Sequence, residues 1–228
     1  MGGVEDLVTL ARETTERGEI ALRRRGRTEE LVVDGTFAMD STETLSEREL
    51  GRLAGGSARV LVGGLGLGYT VAAVLDEADR RGSAVAVDVV ELEPVLVAWA
   101  REGRTATLAR AASDPRVRLH SADVATVLAG RVEDLPGPWD AVLLDVDNGP
   151  DFLIHPGNDA LYREPGLRDA YERLAPGGLL AIWCQASSPP LLAALRRLDP
   201  DARETLLEVS REGRTFTYAI ETARRPSS

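Results

Sequence analysis

Four carboxylates and three glycines of this sequence stand where they could do chemistry on a nucleoside. Gly64, Gly66 and Gly68 lie in RVLVGGLGLGYT, where an apolar strand runs into a helix. Without a Cβ they let the backbone turn tightly and approach a ligand. Glu91 follows 23 residues after Gly68, at the end of a second apolar strand. A carboxylate there can accept hydrogen bonds from both hydroxyls of a ribose. Asp123, in LHSADVATVL, follows a third strand and can accept from an adenine amino group. Capping the next helix is its plainer alternative. Asp145 and Asp147, in WDAVLLDVDNGP, follow a fourth strand, where a carboxylate can orient an acceptor or take its proton. Loop capping is the competing role there. Glu93, beside Pro94, reads as a helix start.

The elements that must position these groups follow from periodicity. From residue 59 onward strands and helices alternate, with strands expected at 59–63, 84–90, 116–120, 139–144, 178–184 and 215–222. Helices are expected at 67–81, 94–111, 123–130, 160–174 and 188–198. The alternation implies an α/β fold, a mostly parallel sheet with helices on both faces, in which ligands sit at the carboxyl ends of the strands. Before it, Val4, Leu7, Val8, Leu10 and Ala11 have helical spacing and Gly18 ends the run, so a helix is expected over 4–17. Strands at 19–24 and 30–33 read as a hairpin, with 36–39 after the Asp34-Gly35 turn. A helix at 41–53 follows, with Ser46 and Glu49 at capping-box spacing. The expected division is a helix and small β-element over 1–55 and a nucleotide-binding α/β domain over 56–228.

Composition narrows the chemistry. The chain has 228 residues, room for one full core, and a formal charge of −10, which argues against binding a phosphate backbone as the main task. All 27 basic residues are arginine, which removes the P-loop lysine, the Schiff base and the lysine base. Cys184 stands alone and His120 and His155 are the only histidines, so no metal site is expected; Cys184 reads as a core residue. No G-x-S-x-G elbow is present. The opening MGGVEDLVTLARE is amphipathic and acidic, and no apolar run nears the roughly 20 residues of a membrane helix. A cytoplasmic protein acting on a small molecule, without nucleic acid or membrane partners, is the expectation.

Several segments together resemble the polyamine aminopropyltransferases, the spermidine synthase-like family, over most of the chain. LVVDGTFAMDSTETLSEREL is similar to the family's strand–DG–strand passage into its gate helix, VGGLGLG to its glycine loop, and VVELEP to its ribose acid. SADVATVL resembles its adenine-contacting segment, LLDVDNGP falls at its D-S-S-D-P loop, and LYREPGLRDAYERLAPGGLLAIW resembles the helix and PGG turn that follow. The resemblance implies a Rossmann-like class I methyltransferase fold behind a small β-element, often as a homodimer. It also implies decarboxylated S-adenosylmethionine as donor to a diamine.

The departures concentrate away from the nucleoside. Gly66 stands where the family has an aspartate that holds the donor amine, Ala38 replaces a glutamine, Glu47 and Arg48 replace tyrosine and histidine, and Asn148 replaces the second catalytic aspartate. The family's late amine-binding motif is not visible in LLEVSREGRTFTYAIE. Arg48 could instead pair with the carboxylate that intact S-adenosylmethionine keeps, or be an exposed helix residue among acidic neighbours. Three functions remain open at this level. They are methyl transfer from S-adenosylmethionine to a small nucleophile, aminopropyl transfer to an atypical amine, and non-catalytic nucleoside binding. Glu47, Asp145 and Asp147 form an acid set suited to an amine.

Overall fold

The computed structural model describes residues 6–146, 149–150, 153, 155–211 and 214–227. Four strands open the chain, β1 (Leu7–Thr15), β2 (Gly18–Arg25), β3 (Thr28–Val33) and β4 (Thr36–Asp40), and pair antiparallel in that order. The helix expected over 4–17 is thus a strand over its described part, and Leu10 supplies the reason. The β1–β2 register shifts between Thr9 and Ala11, and both Leu10 and Ala11 pack against the core. Such a bulge doubles an apolar position that strict alternation would leave single, and in sequence the pair mimics helical spacing.

Helix α1 (Leu45–Arg52) follows, shorter than the span expected. Its N-cap is Thr44, so the capping box expected at Ser46 and Glu49 does not form; the Ser46 hydroxyl donates to Glu47 at 2.8 Å instead.

The second sheet contains β5 (Arg59–Gly63), β6 (Ala86–Glu91), β7 (Val117–Ser121), β8 (Trp139–Leu144), β9 (Leu174–Cys184), β10 (Arg203–Arg211) and β11 (Arg214–Arg224). Its order is β10-β11-β9-β8-β5-β6-β7, and among these seven only β11 runs against the rest. The helices between strands are α2 (Tyr69–Arg81), α3 (Pro94–Arg101), α4 (Ala106–Ser113), α5 (Val124–Leu128), α6 (Asp159–Tyr162), α7 (Glu164–Glu172) and α8 (Pro189–Leu198). On β5, Val60 and Val62 join one buried cluster with α2, α3, α4 and the N-terminal sheet, while Leu61 joins another with α5, α7 and α8. Both faces of the sheet are therefore covered, as parallel strands require. Cys184 is buried in the second cluster.

Two further differences from the sequence reading have local causes. The helix expected over 94–111 is two helices, because Gly103 adopts a left-handed φ of 69° and Thr105 caps α4 by accepting from the Leu108 N–H at 3.2 Å. Strand β10 was not expected at all. It is an edge strand with Leu206 exposed, and an edge that buries few side chains carries a weak hydrophobic signal. Among the described residues no helix is long and apolar enough to cross a membrane.

Candidate functional site

The chain leaves β5, passes to β6 and β7 on one side, and returns to β8 on the other. The carboxyl end of β5 is thus a topological switch point, where a crevice opens between diverging connections. Gly64, Gly66 and Gly68 occupy it with φ values of 90°, 50° and 87°, in the left-handed region open to glycine. At Gly64 there is no room either. A Cβ there would meet the Asp145 carbonyl oxygen at 2.0 Å. At Gly66 it would meet the Met39 sulfur at 2.7 Å, and Met39 also receives the Leu67 N–H at 3.3 Å. Through Met39 the N-terminal sheet closes over the glycine turn.

An open cavity lies over this turn. Its walls include Ile20, Leu31 and Met39 from the N-terminal sheet and Leu96 and Trp183 from the main domain. Among the described residues it is lined by the carboxylates Glu47, Glu91, Glu93, Asp123 and Asp145, by His155, and by no arginine. Gly64 and Gly66 line it as well; Gly68 does not, and serves as the N-cap of α2.

Glu91 ends β6, buried, and ties the turn together. Its Oε2 accepts from the Leu65 N–H at 2.8 Å and its Oε1 from the Glu93 N–H at 2.7 Å. Burial raises its pKa, and those backbone donors oppose the rise. Glu93 is only 3% exposed, and neither of its oxygens accepts a hydrogen bond. The Arg17 Nε, from the β1–β2 turn, approaches its Oε1 at 3.3 Å. The sequence treated Glu93 as a helix start. The signal that it also faces the cavity was its two-residue offset from Glu91, since alternate residues of a strand share a face and the offset runs just past the strand end.

Asp123 takes the capping role. Its Oδ1 accepts from the Ala125 N–H at 2.8 Å, and the residue also borders the cavity. Asp145 lies at the end of β8, where its Oδ2 accepts from the Thr70 hydroxyl at 2.6 Å. Burial pushes its carboxyl up to about 6, against the pull of that hydrogen bond. Glu47 faces the same cavity from α1, pushed up to about 7 by burial and then by the Asp145 charge. Asp147 lies outside the described residues.

Arg48 does not join them. Successive helix residues point about 100° apart, so when Glu47 faces the cavity its neighbour cannot. Arg48 instead donates from Nε to the Thr44 hydroxyl at 3.0 Å, lies 5.2 Å from the centre of the Tyr69 ring, and approaches Asp76 at 3.9 Å. These contacts match the alternative the sequence also offered, and Arg48 is not among the residues that line the cavity. It is a half-exposed helix residue among acidic and aromatic neighbours.

The donor set fits an adenosyl group. Glycines in left-handed conformation form the cradle, the buried Glu93 oxygens lack donors that a ribose diol carries, and Val90, Leu92, Leu96 and Val124 give a purine apolar walls.

No protein-family model matches the chain, and no curated protein matches it in sequence. Solved structures do match in fold. An O-methyltransferase from Bacillus cereus in complex with SAH is 16% identical, with 80% of this chain and 82% of that chain covered and a TM-score of 0.52. Human methyltransferase-like protein 13 in complex with SAH is 24% identical over 79% of this chain and 77% of that chain, at a TM-score of 0.51. The O-methyltransferase TomG from Streptomyces achromogenes in complex with SAM is 14% identical over 81% and 82%, also at 0.51. The seven-stranded domain thus has the Rossmann-like class I methyltransferase fold that the family resemblance implied, built on the parallel sheet expected from its alternation of strands and helices. None of these three is named as an aminopropyltransferase, and the resemblance drawn from sequence narrows to that fold.

Proposed function

We propose that the protein is an S-adenosylmethionine-dependent transferase that moves a methyl group to a small nucleophile. The observation that carries this is the convergence of Gly64, Gly66, Glu91 and Asp145 on one cavity at the switch point of the sheet. S-adenosylmethionine supplies an electrophilic methyl carbon when bound. Glu91 and Glu93 anchor the ribose, with the apolar walls beside Asp123 taking the base. The N-terminal sheet keeps water off the cavity through Ile20, Leu31 and Met39. Asp145 orients the nucleophile or takes its proton. A carboxyl held near 6 by burial is a better base at neutral pH than an ordinary one, yet still ionised there.

One observation favours a second reading, aminopropyl transfer from decarboxylated S-adenosylmethionine to an amine. The described lining carries five carboxylates and no arginine, Arg48 contacts Asp76 instead, and Arg17 is engaged by Glu93, so among the described residues no guanidinium lines the cavity for the carboxylate of the intact donor. Calorimetric titration with S-adenosylmethionine, its decarboxylated form and S-adenosylhomocysteine tests both. Tighter binding of the intact donor supports methyl transfer, and tighter binding of the decarboxylated donor supports aminopropyl transfer. Binding of none of the three sinks both. We further propose a homodimer as the working unit, because β1 and β10 are unpaired edges that expose Leu7, Val8 and Leu206.

A further inference from the structure

Glu47 is the residue of the cavity that neither the nucleoside nor the proton transfer has used. It shares the cavity with Asp145 and feels its charge, and α1, which carries it, packs closely on α2: a Cβ at Gly51 would meet the Thr70 carbonyl oxygen at 2.5 Å and the Ala73 Cβ at 2.6 Å. Thr70 in turn holds Asp145 by its hydroxyl, so one helix contact fixes both acids. Strand order sets where they stand. Glu91 ends β6 and Asp145 directly follows β8, on either side of β5 and its glycine turn. Two strand spacings separate them, roughly 10 Å. A ribose anchored at the first acid, with a sulfur on its 5′ carbon, covers a span of that order. Glu93 supplies an independent sign of a ligand at the other end, with both buried oxygens lacking a hydrogen bond.

We propose that Glu47 and Asp145 form the charge-sensing end of this cavity and bind the sulfonium form of a 5′-thioadenosine ligand in preference to the neutral thioether. The inference rests on the adenosyl-donor reading above and holds for methyl and aminopropyl transfer alike. Either reaction turns a sulfonium donor into a thioether product, so the same pair retains the first and releases the second. Coulomb attraction to a cation is strengthened in a low-dielectric pocket, while the thioether has no charge to answer it.

Both carboxyls gain their charge near neutral pH, Glu47 about 7 and Asp145 about 6, so the preference for a cation grows as pH rises through that window. Other titratable groups face the pair. Glu43 precedes α1 and raises Glu47; Glu91, Glu93 and Asp123 border the cavity from β6, α3 and α5; and His155 borders it before the short helical turn at 156–158. His155 is the imidazole among these neighbours, and it needs its own control.

The test uses two ligands that differ by one methyl and one charge and lack the amino-acid tail, 5′-methylthioadenosine and its S-methyl sulfonium. Calorimetric affinities are measured at about pH 5.5 and about pH 8 for the wild-type chain, Glu47→Gln and His155→Gln. The affinity ratio of sulfonium to thioether should rise about tenfold or more with pH in the wild type, rise distinctly less in Glu47→Gln, where Asp145 alone is left to gain charge, and still rise in His155→Gln. A flat wild-type ratio overturns the inference whatever the variants do, as does an undiminished rise in Glu47→Gln or a rise abolished in His155→Gln. If the thioether binds and the ratio is flat, the adenosyl reading survives alone. If neither ligand binds at either pH, that reading fails and this inference with it.

Discussion

Replacing Asp145 separates binding from chemistry. Its carboxylate is held by the Thr70 hydroxyl, and asparagine can keep that hydrogen bond while losing the ability to take a proton. Asp145→Asn should bind S-adenosylhomocysteine within about threefold of wild type and lower turnover by about 100-fold or more, read by calorimetry and by product formation once an acceptor is found. An equal loss of binding would mean that the residue holds the nucleoside instead. At this scale the sequence was informative about residue types at strand ends and silent about direction. Glu91, Asp123 and Asp145 fall in one cavity because each ends a parallel strand or begins the helix after it. Adjacent Glu47 and Arg48 were indistinguishable in sequence, and only the packing of α1 on α2 sends one inward and the other to Asp76.

At the scale of elements, two contacts invite measurement. Gly51→Ala places a methyl against the backbone of α2, where nothing flexible can yield, and should cost about 1–3 kcal/mol of stability. Because α1 carries Glu47, the same change should weaken ligand binding, and chemical denaturation with parallel titration checks both. The second contact joins β10 and β11, where Glu221 lies opposite Glu204 and is fully buried. Burial, then the Glu204 charge, push its carboxyl up to about 8. The folded state therefore holds a proton that the unfolded chain releases near an ordinary carboxyl value. The stability so gained is complete below that value and is lost as pH rises toward 8. Glu221→Gln should melt above wild type at alkaline pH, with the gap closing toward pH 5 in a thermal-melt series; a gap that does not depend on pH would refute the protonated carboxyl. The main-domain strands were legible because residues such as Val60, Leu61 and Val62 are buried on both faces and leave unbroken apolar runs. Strand β1 was not, since its bulge at Leu10 breaks the period of two, and edge strand β10 buries too little to leave a pattern.

For the whole molecule, the charge of −10 and the exposed edges pull in opposite directions. Net charge keeps copies apart, while unpaired β1 and β10 edges with apolar side chains favour pairing. If the edges win, light scattering after size exclusion should give twice the chain mass of 24.5 kDa, and added salt should strengthen the association by screening repulsion. A single-chain mass at all salt concentrations refutes the dimer. The sequence by itself determined the doubly covered parallel sheet, the glycine turn after its first strand and the acids at strand ends, because hydrophobic period and backbone permissiveness are local properties. Only the tertiary structure decided which acids share a cavity, that the N-terminal strands close it through Met39, that Glu47 lines it together with Asp145 and that Arg48 lies outside its lining. Those outcomes depend on how closely two helices pack and on where a distant sheet comes to rest, and no local pattern encodes either distance.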